Sequence, residues 1–114
     1  MLLEHTGRTS GRPRFVCLEV IDRPTHDTLL VASGFGSTSQ WYQNLRATPT
    51  CFISTGRLRR HPATATMLPT DQSAQALTRY RTEHARSWRF LEQVVSKHGA
   101  IRPADIPIVE FRLA

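Results

Sequence analysis

Residues 7–14 read Gly-Arg-Thr-Ser-Gly-Arg-Pro-Arg, and this run can belong to neither a helix nor an uninterrupted strand. Glycine is entropically costly inside regular elements, and proline lacks the backbone donor that both ladders need. Apolar-leaning runs lie on either side, at residues 1–5 and 15–21. The chain is therefore expected to fold back here as a hairpin, with strands over residues 2–5 and 14–22. The turn also holds three arginines and two hydroxyls. Backbone N–H groups around glycines can form an anion-holding nest, with Thr9 and Ser10 adding short donors. Arg12 and Arg14 stand two apart, which puts them on one face of an extended start. Arginine suits phosphate or carboxylate because its planar fork offers two parallel hydrogen bonds. A polar turn with merely solvated arginines accounts for the same residues, and the turn alone does not choose.

Downstream, Phe15, Cys17, Glu19 and Ile21 alternate with Val16, Leu18 and Val20. Apolar groups on both faces predict a strand covered on both sides, as in a small barrel. Residues 23–27 read as a turn and residues 28–33 as a third strand. The loop 34–39 ends in hydroxyls able to cap a helix over 40–47, which Pro49 stops. Residues 50–55 and 57–68 form a second hairpin around Gly56, with a bulge or an edge at Pro62. After Pro69 the period becomes helical. Thr70 or Asp71 is the expected cap of a helix burying Ala74, Leu77, Tyr80 and Arg81. A second helix over 87–98 places Phe90, Leu91, Val94 and Val95 on one stripe, with Gly99 as its stop. A last strand spans 107–113. This order predicts a mainly β, α+β barrel with helices outside, not a doubly wound parallel sheet.

The chain has 114 residues, 39% hydrophobic and 21% charged, as expected of one globular domain. No apolar run reaches the ~20 residues of a membrane span, and because Met1-Leu2-Leu3 runs straight into Glu4 and His5, no secretory signal peptide is expected. Cys17 and Cys51 sit in strand-like runs without metal-ligand spacing, so both are expected as buried reduced thiols of a cytoplasmic protein. Peripheral association with a membrane stays open. The net charge is +6, and 14 of 15 basic residues are arginine. They fall into separate groups rather than one stripe interleaved with aromatics, which argues against nucleic acid as a partner. The five histidines show no ligand spacing, so no metal is expected.

Three blocks together resemble the deazaflavin-dependent nitroreductase family. Leu2-Leu3-Glu4-His5-Thr6-Gly7-Arg8-Thr9-Ser10-Gly11-Arg12-Pro13-Arg14 is similar to its leucine strand followed by Gly-Arg-Lys-Ser-Gly-x-x-Arg. Leu30-Val31-Ala32-Ser33-Gly34-Phe35-Gly36 is similar to Val-Ala-Ser-x-x-Gly. Trp41-Tyr42-Gln43-Asn44-Leu45-Arg46-Ala47-Thr48-Pro49 is similar to Trp-Tyr-x-Asn-Leu-x-x-x-Pro. The blocks cover residues 1 to about 68, in order and in approximate spacing. Thr9 stands where the family usually has lysine, and the loop from Gly36 to Trp41 is short. The sequence starts almost at the leucine strand, so the family's usual N-terminal segment is expected either to be cut off by a truncated or mis-assigned start or to be absent from this member.

The resemblance implies a split β-barrel of the flavin-binding kind over residues 1–114, with coenzyme F420 as cofactor and FMN as the poorer alternative. Arg8, Thr9, Ser10, Arg12 and Arg14 would take the phosphate and acidic tail. Val16, Cys17 and Leu18, with Val31, Ala32, Ser33 and Gly34, would line the ring. Trp41, Tyr42 and Asn44 at the helix start would support the phosphate end. Ser33 and Tyr42 are the candidate catalytic residues, with Tyr80 or solvent as other proton sources. The implied reaction is hydride transfer from the reduced cofactor to a quinone, enone or nitroaromatic acceptor, with a homodimer favoured over a monomer closed by the 70–98 helices. A binding protein of the same fold without turnover is the alternative.

Overall fold

The computed structural model describes residues 1–98 and 105–114. Seven strands form one antiparallel sheet: β1 (Leu2–Thr6), β2 (Pro13–Cys17), β3 (Val20–Thr25), β4 (Thr28–Ala32), β5 (Thr50–Thr55), β6 (Leu58–Met67) and β7 (Ile108–Leu113). Their order across the sheet is β2-β1-β5-β6-β7-β4-β3. The two edge strands are thus consecutive in sequence, separated only by Leu18 and Glu19. In a flat sheet six strand spacings would hold the edges about 29 Å apart. The three Cα steps from Cys17 to Val20 reach at most about 11 Å. The sheet must therefore roll until its edges meet at this corner, which makes an open barrel.

The expected strand over 14–22 is accordingly two strands. Leu18 still exchanges backbone hydrogen bonds with Met1, at 2.7 and 2.9 Å, alongside β1. Beyond it the chain leaves β1 and pairs Val20 with Val31 of β4. The double coverage expected of that segment belongs instead to β4, whose Leu29 and Val31 enter one core while Leu30 enters another. β2 is an edge with an open face, where Phe15 is 61% exposed. Cys17 is exposed too, against the expectation of a buried thiol, because this face lacks a covering layer. β3 extends through Pro24 to Thr25, which an edge strand tolerates because the missing donor faces away from the ladder.

The inner face of the roll holds Leu3, Leu29, Val31, Ile53, Val109 and Phe111, closed by Trp41, Tyr42 and Leu45 of α1 (Gln40–Ala47). The outer face of β3, β4 and β7 is covered by α2 (Thr70–Glu83) and α3 (Ala85–His98), which bury Ala76, Leu77, Tyr80, Trp88 and Val95 against Ile21, Leu30 and Ile108. Two helical faces differ from expectation. On α2, Ser73 and Ala76 are buried while Ala74 and Arg81 are exposed. The polar Ser73 tolerates burial because its hydroxyl donates to the Leu68 carbonyl and accepts from the Ile108 N–H. On α3, which starts two residues early, Trp88 turns inward and Phe90 is 68% exposed. Pro69, with no side-chain cap bond, precedes α2 in place of a Thr70 or Asp71 cap. Gly99 as a helix stop lies outside the described residues. No helix of the described residues is long and apolar enough to cross a membrane.

Candidate functional site

The 7–14 turn closes the β1–β2 hairpin and packs on α1. Its shape comes from two backbone bonds, Gly7 N–H to the Arg12 carbonyl (2.9 Å) and Gly11 N–H to the Gly7 carbonyl (2.8 Å). Gly11 takes a positive φ of 70°, which L side chains rarely adopt. A Cβ at Gly7 would lie 2.7 Å from Ser10 Oγ and 3.5 Å from Arg14 Nε, so glycine there lets the turn close under Arg14. The turn is tied to α1 by Asn44. Its Oδ1 accepts from both the Arg8 N–H (3.0 Å) and Arg8 Nη1 (2.8 Å), and its Nδ2 lies 3.1 Å from His5 Nδ1.

Between turn, strand and helix lies a cavity of about 590 Å³. Its lining combines Gly7, Arg8, Thr9, Ser10 and Arg14 with the apolar Phe15, Val16 and Trp41, and with His5, Gln40 and Asn44. Arg14, Phe15 and Val16 are consecutive on a strand, whose successive side chains point to opposite faces. All three can border one cavity only if it wraps the strand's free edge, where backbone N–H and C=O groups are open. Gln40 and Trp41 open α1, whose first turn holds no acidic residue, so the positive end of its dipole borders the cavity. Among the described residues no carboxylate lines it. The set of donors, cations and flat apolar walls suits a ligand with an anionic end and an aromatic end. Burial and the nearby Arg14 charge both push the His5 pKa down, which favours a neutral ring.

The structure thus brings together Arg8, Thr9, Ser10, Arg14, Val16, Trp41 and Asn44. The other residues singled out in the sequence do not line this cavity. Arg12 is exposed in the turn, its N–H on Ser10 Oγ at 3.2 Å. Cys17 lies further along β2, and Leu18 packs against the inner core. Val31 is fully buried in that core, and Ala32 packs beneath the outer helices. Ser33 is 1% exposed, and its hydroxyl donates to the Gly36 carbonyl at 2.6 Å. A Cβ at Gly34 would face Leu91 and Val95 of α3. Tyr42 is buried edge-on to Trp41, with centroids 6.1 Å apart. Tyr80 donates to Glu19 at 3.3 Å.

Sequence reasoning passed over His5, Phe15 and Gln40. For His5 a signal existed: it shares the inward face of β1 with Leu3, two residues away, so burial followed from alternation. Among the described residues no group of three or more His, Cys, Asp or Glu side chains could hold a metal.

Residues 1–100 match the sequence model of a family described as F420H(2)-dependent quinone reductase. No curated protein sequence matches. Three solved structures are similar in fold. One, described as a domain-swapped dimer, aligns with a TM-score of 0.66 at 20% identity over 97% of this chain and 78% of its own. A second, an F420-H2-dependent reductase termed FDR-A, aligns at 0.64 and 20% identity over 97% and 91%. The third comes from Clostridium acetobutylicum, a protein of the pyridoxinephosphate oxidase family related to a general stress protein. It aligns at 0.58 and 8% identity over 98% and 73%. The shared architecture is the split barrel.

Proposed function

The chain belongs to the F420H(2)-dependent quinone reductase family, an oxidoreductase family whose cofactor is coenzyme F420, and from that premise we propose that the cavity beside the 7–14 turn is its cofactor site. The observation that carries this reading is the mixed lining of the cavity: the cations Arg8 and Arg14 and the hydroxyls of Thr9 and Ser10 together with Phe15, Val16 and Trp41, and no carboxylate among the described residues of the wall. Arg8, Thr9, Ser10 and Arg14 hold the phosphate and acidic tail through charge-assisted hydrogen bonds. The open edge of β2 reads the polar edge of the ring, and Trp41 and Val16 give it a dry wall. The bound cofactor supplies the hydride; this chain's residues orient it and exclude water.

The acceptor we propose is a quinone, with enones and nitroaromatics as acceptors of the same hydride chemistry. Ser33 and Tyr42 keep a role in this proposal as supports of the cofactor region, since both are buried and one hydroxyl is already committed. The reading extends to a homodimer, because the free edge of β2 leaves one wall of the cavity for a second copy to cover. One structural relative is described as a domain-swapped dimer.

Fluorescence titration with F420 and FMN, followed by acceptor-dependent reoxidation of reduced F420, tests the proposal. Tighter binding of F420, weakening with salt as the tail contacts are screened, and reoxidation on adding a quinone are expected. Equal or tighter FMN binding removes the deazaflavin assignment. Tight F420 binding with no reoxidation by any acceptor class leaves a carrier protein instead of an enzyme.

A further inference from the structure

A turn of eight residues with three internal hydrogen bonds does not by itself hold arginines in a fixed place. Asn44 supplies the missing anchor, and its orientation follows from chemistry. Arg8 offers only donors, so the amide oxygen must face it, where it accepts two bonds at 3.0 and 2.8 Å. Nδ2 is then turned toward His5 Nδ1, 3.1 Å away. A ring nitrogen that accepts an amide proton carries none of its own. His5 is therefore the neutral Nε2–H tautomer, in a position only 5% exposed.

We propose that His5 is a positioning residue: by accepting from Asn44 it fixes the amide's orientation, and through it anchors Arg8 and the 7–14 turn at the charged rim of the cavity. Asn44 is the intermediary in this chain. With its oxygen used twice and its nitrogen facing the ring, it serves the site by holding Arg8. A reversed amide would point N–H groups at the two Arg8 donors and release the turn. The inference rests on the cofactor reading for its consequence, since the rim matters if it takes the phosphate and tail. The ordering itself does not depend on a cofactor.

The charged and titratable groups around His5 are consistent with this tautomer. Arg14 sits directly across the ladder on β2, and Arg8 approaches through Asn44 from the side of α1. His5 also borders a second cavity, of about 300 Å³, with Glu4 and Cys51. Glu4 is engaged bidentately by Arg60, and burial lifts the Cys51 thiol to about 11, which keeps it neutral.

The test uses the full chain with three substitutions, His5→Asn, His5→Phe and Asn44→Ala. Asparagine places an acceptor near the position of Nδ1, whereas phenylalanine fills the space without one. Nitrogen NMR of the wild-type imidazole, without cofactor, should show Nδ1 unprotonated at pH 7. Exchange of the Arg8 amide should quicken at least about tenfold in His5→Phe and Asn44→Ala, the loss of one net hydrogen bond. In His5→Asn it should stay within about threefold of wild type. The dissociation constant for F420 should follow the same ranking.

A protonated Nδ1 overturns the proposal even if every variant fails to fold. Wild-type exchange in a folded His5→Phe chain overturns it as well, since His5 then only fills space. If the exchange ranking holds while wild type binds no F420, the anchoring stands and the cofactor reading falls.

Discussion

At the scale of single residues, Arg14 and Arg12 separate a site from a solvated turn. Both are exposed arginines of one run, yet Arg14 borders the cavity and lies over Gly7, whereas Arg12 points its backbone into the turn. Arg14→Ala should weaken F420 binding by about 1.5–3 kcal/mol, the scale of a hydrogen bond to a charged group. Arg12→Ala should change it by less than about 0.5 kcal/mol, as for a solvated surface charge. Fluorescence titration measures both, and equal losses would move the anion away from the cavity. The two thiols diverge in the same way. Cys51 is 3% exposed, its thiol donates to the Ala63 carbonyl at 3.6 Å, and burial lifts its pKa to about 11. Cys17 stands on the open face of β2. A thiol reagent at low protein concentration should therefore modify one cysteine per chain, and a second only in denaturant. Two fast thiols in the folded protein would contradict the burial of Cys51.

At the scale of elements, the His5 contact between β1 and α1 gives stability a defined pH dependence. Burial first, and the Arg14 charge second, lower its pKa from the ordinary 6.5. As pH falls through 6.5 the unfolded chain takes a proton before the folded one does. The contribution is therefore complete above 6.5 and is lost progressively below it, until the folded state protonates too. Glu4 and Asp27 have lowered carboxyl pKa values through Arg60 and Thr25 respectively. They act with the same sign, but only below their ordinary 4.5 and 3.8. Urea midpoints should thus decline between pH 6.5 and 5 in wild type and stay level in His5→Asn. Parallel curves would show that another group titrates.

Much at this scale was legible in advance. The bounds of α1 and β5 follow from a Gly-Ser-rich entry, Pro49 and the Gly56 turn. The break at Leu18 and Glu19 was not, because alternation continues through it unbroken. Only the change of partner from β1 to β4 ends β2, and pairing partners are not written in one segment. Trp88 and Phe90 exchanged places for a related reason. Helical spacing gives a stripe but not its rotation, which packing of α3 on Gly34 and the outer sheet decides. The seven-residue meeting at the cavity was read from motif resemblance, while the Asn44–His5 link needed the fold to bring residues 39 apart into contact.

At the scale of the whole molecule, the roll that joins β2 to β3 leaves the outer edge of β2 without a strand partner among the described residues. Phe15 and Cys17 share one face of it, and Leu2, 39% exposed, lies opposite Cys17 on β1. An apolar strip beside open backbone donors and acceptors is the arrangement that pairs with another strand. β3, the other edge, carries Pro24, Asp22 and Arg23 and lies beside α2, which blunts it. A second copy meeting β2 around a twofold axis would satisfy both edges with one contact, and symmetric pairs are the commonest assembly. It would also wall the cavity beside Phe15. Sedimentation at micromolar concentration should then give twice the chain mass of 12.9 kDa, and Cys17→Arg, which sets a cation on the strip, should shift the population to single chains. Modification of wild-type Cys17 should quicken on dilution as the pair separates, while Cys51 stays unreactive. A 12.9 kDa species at every concentration, with dilution-independent labelling, would leave the β2 edge to solvent and the cavity with three walls.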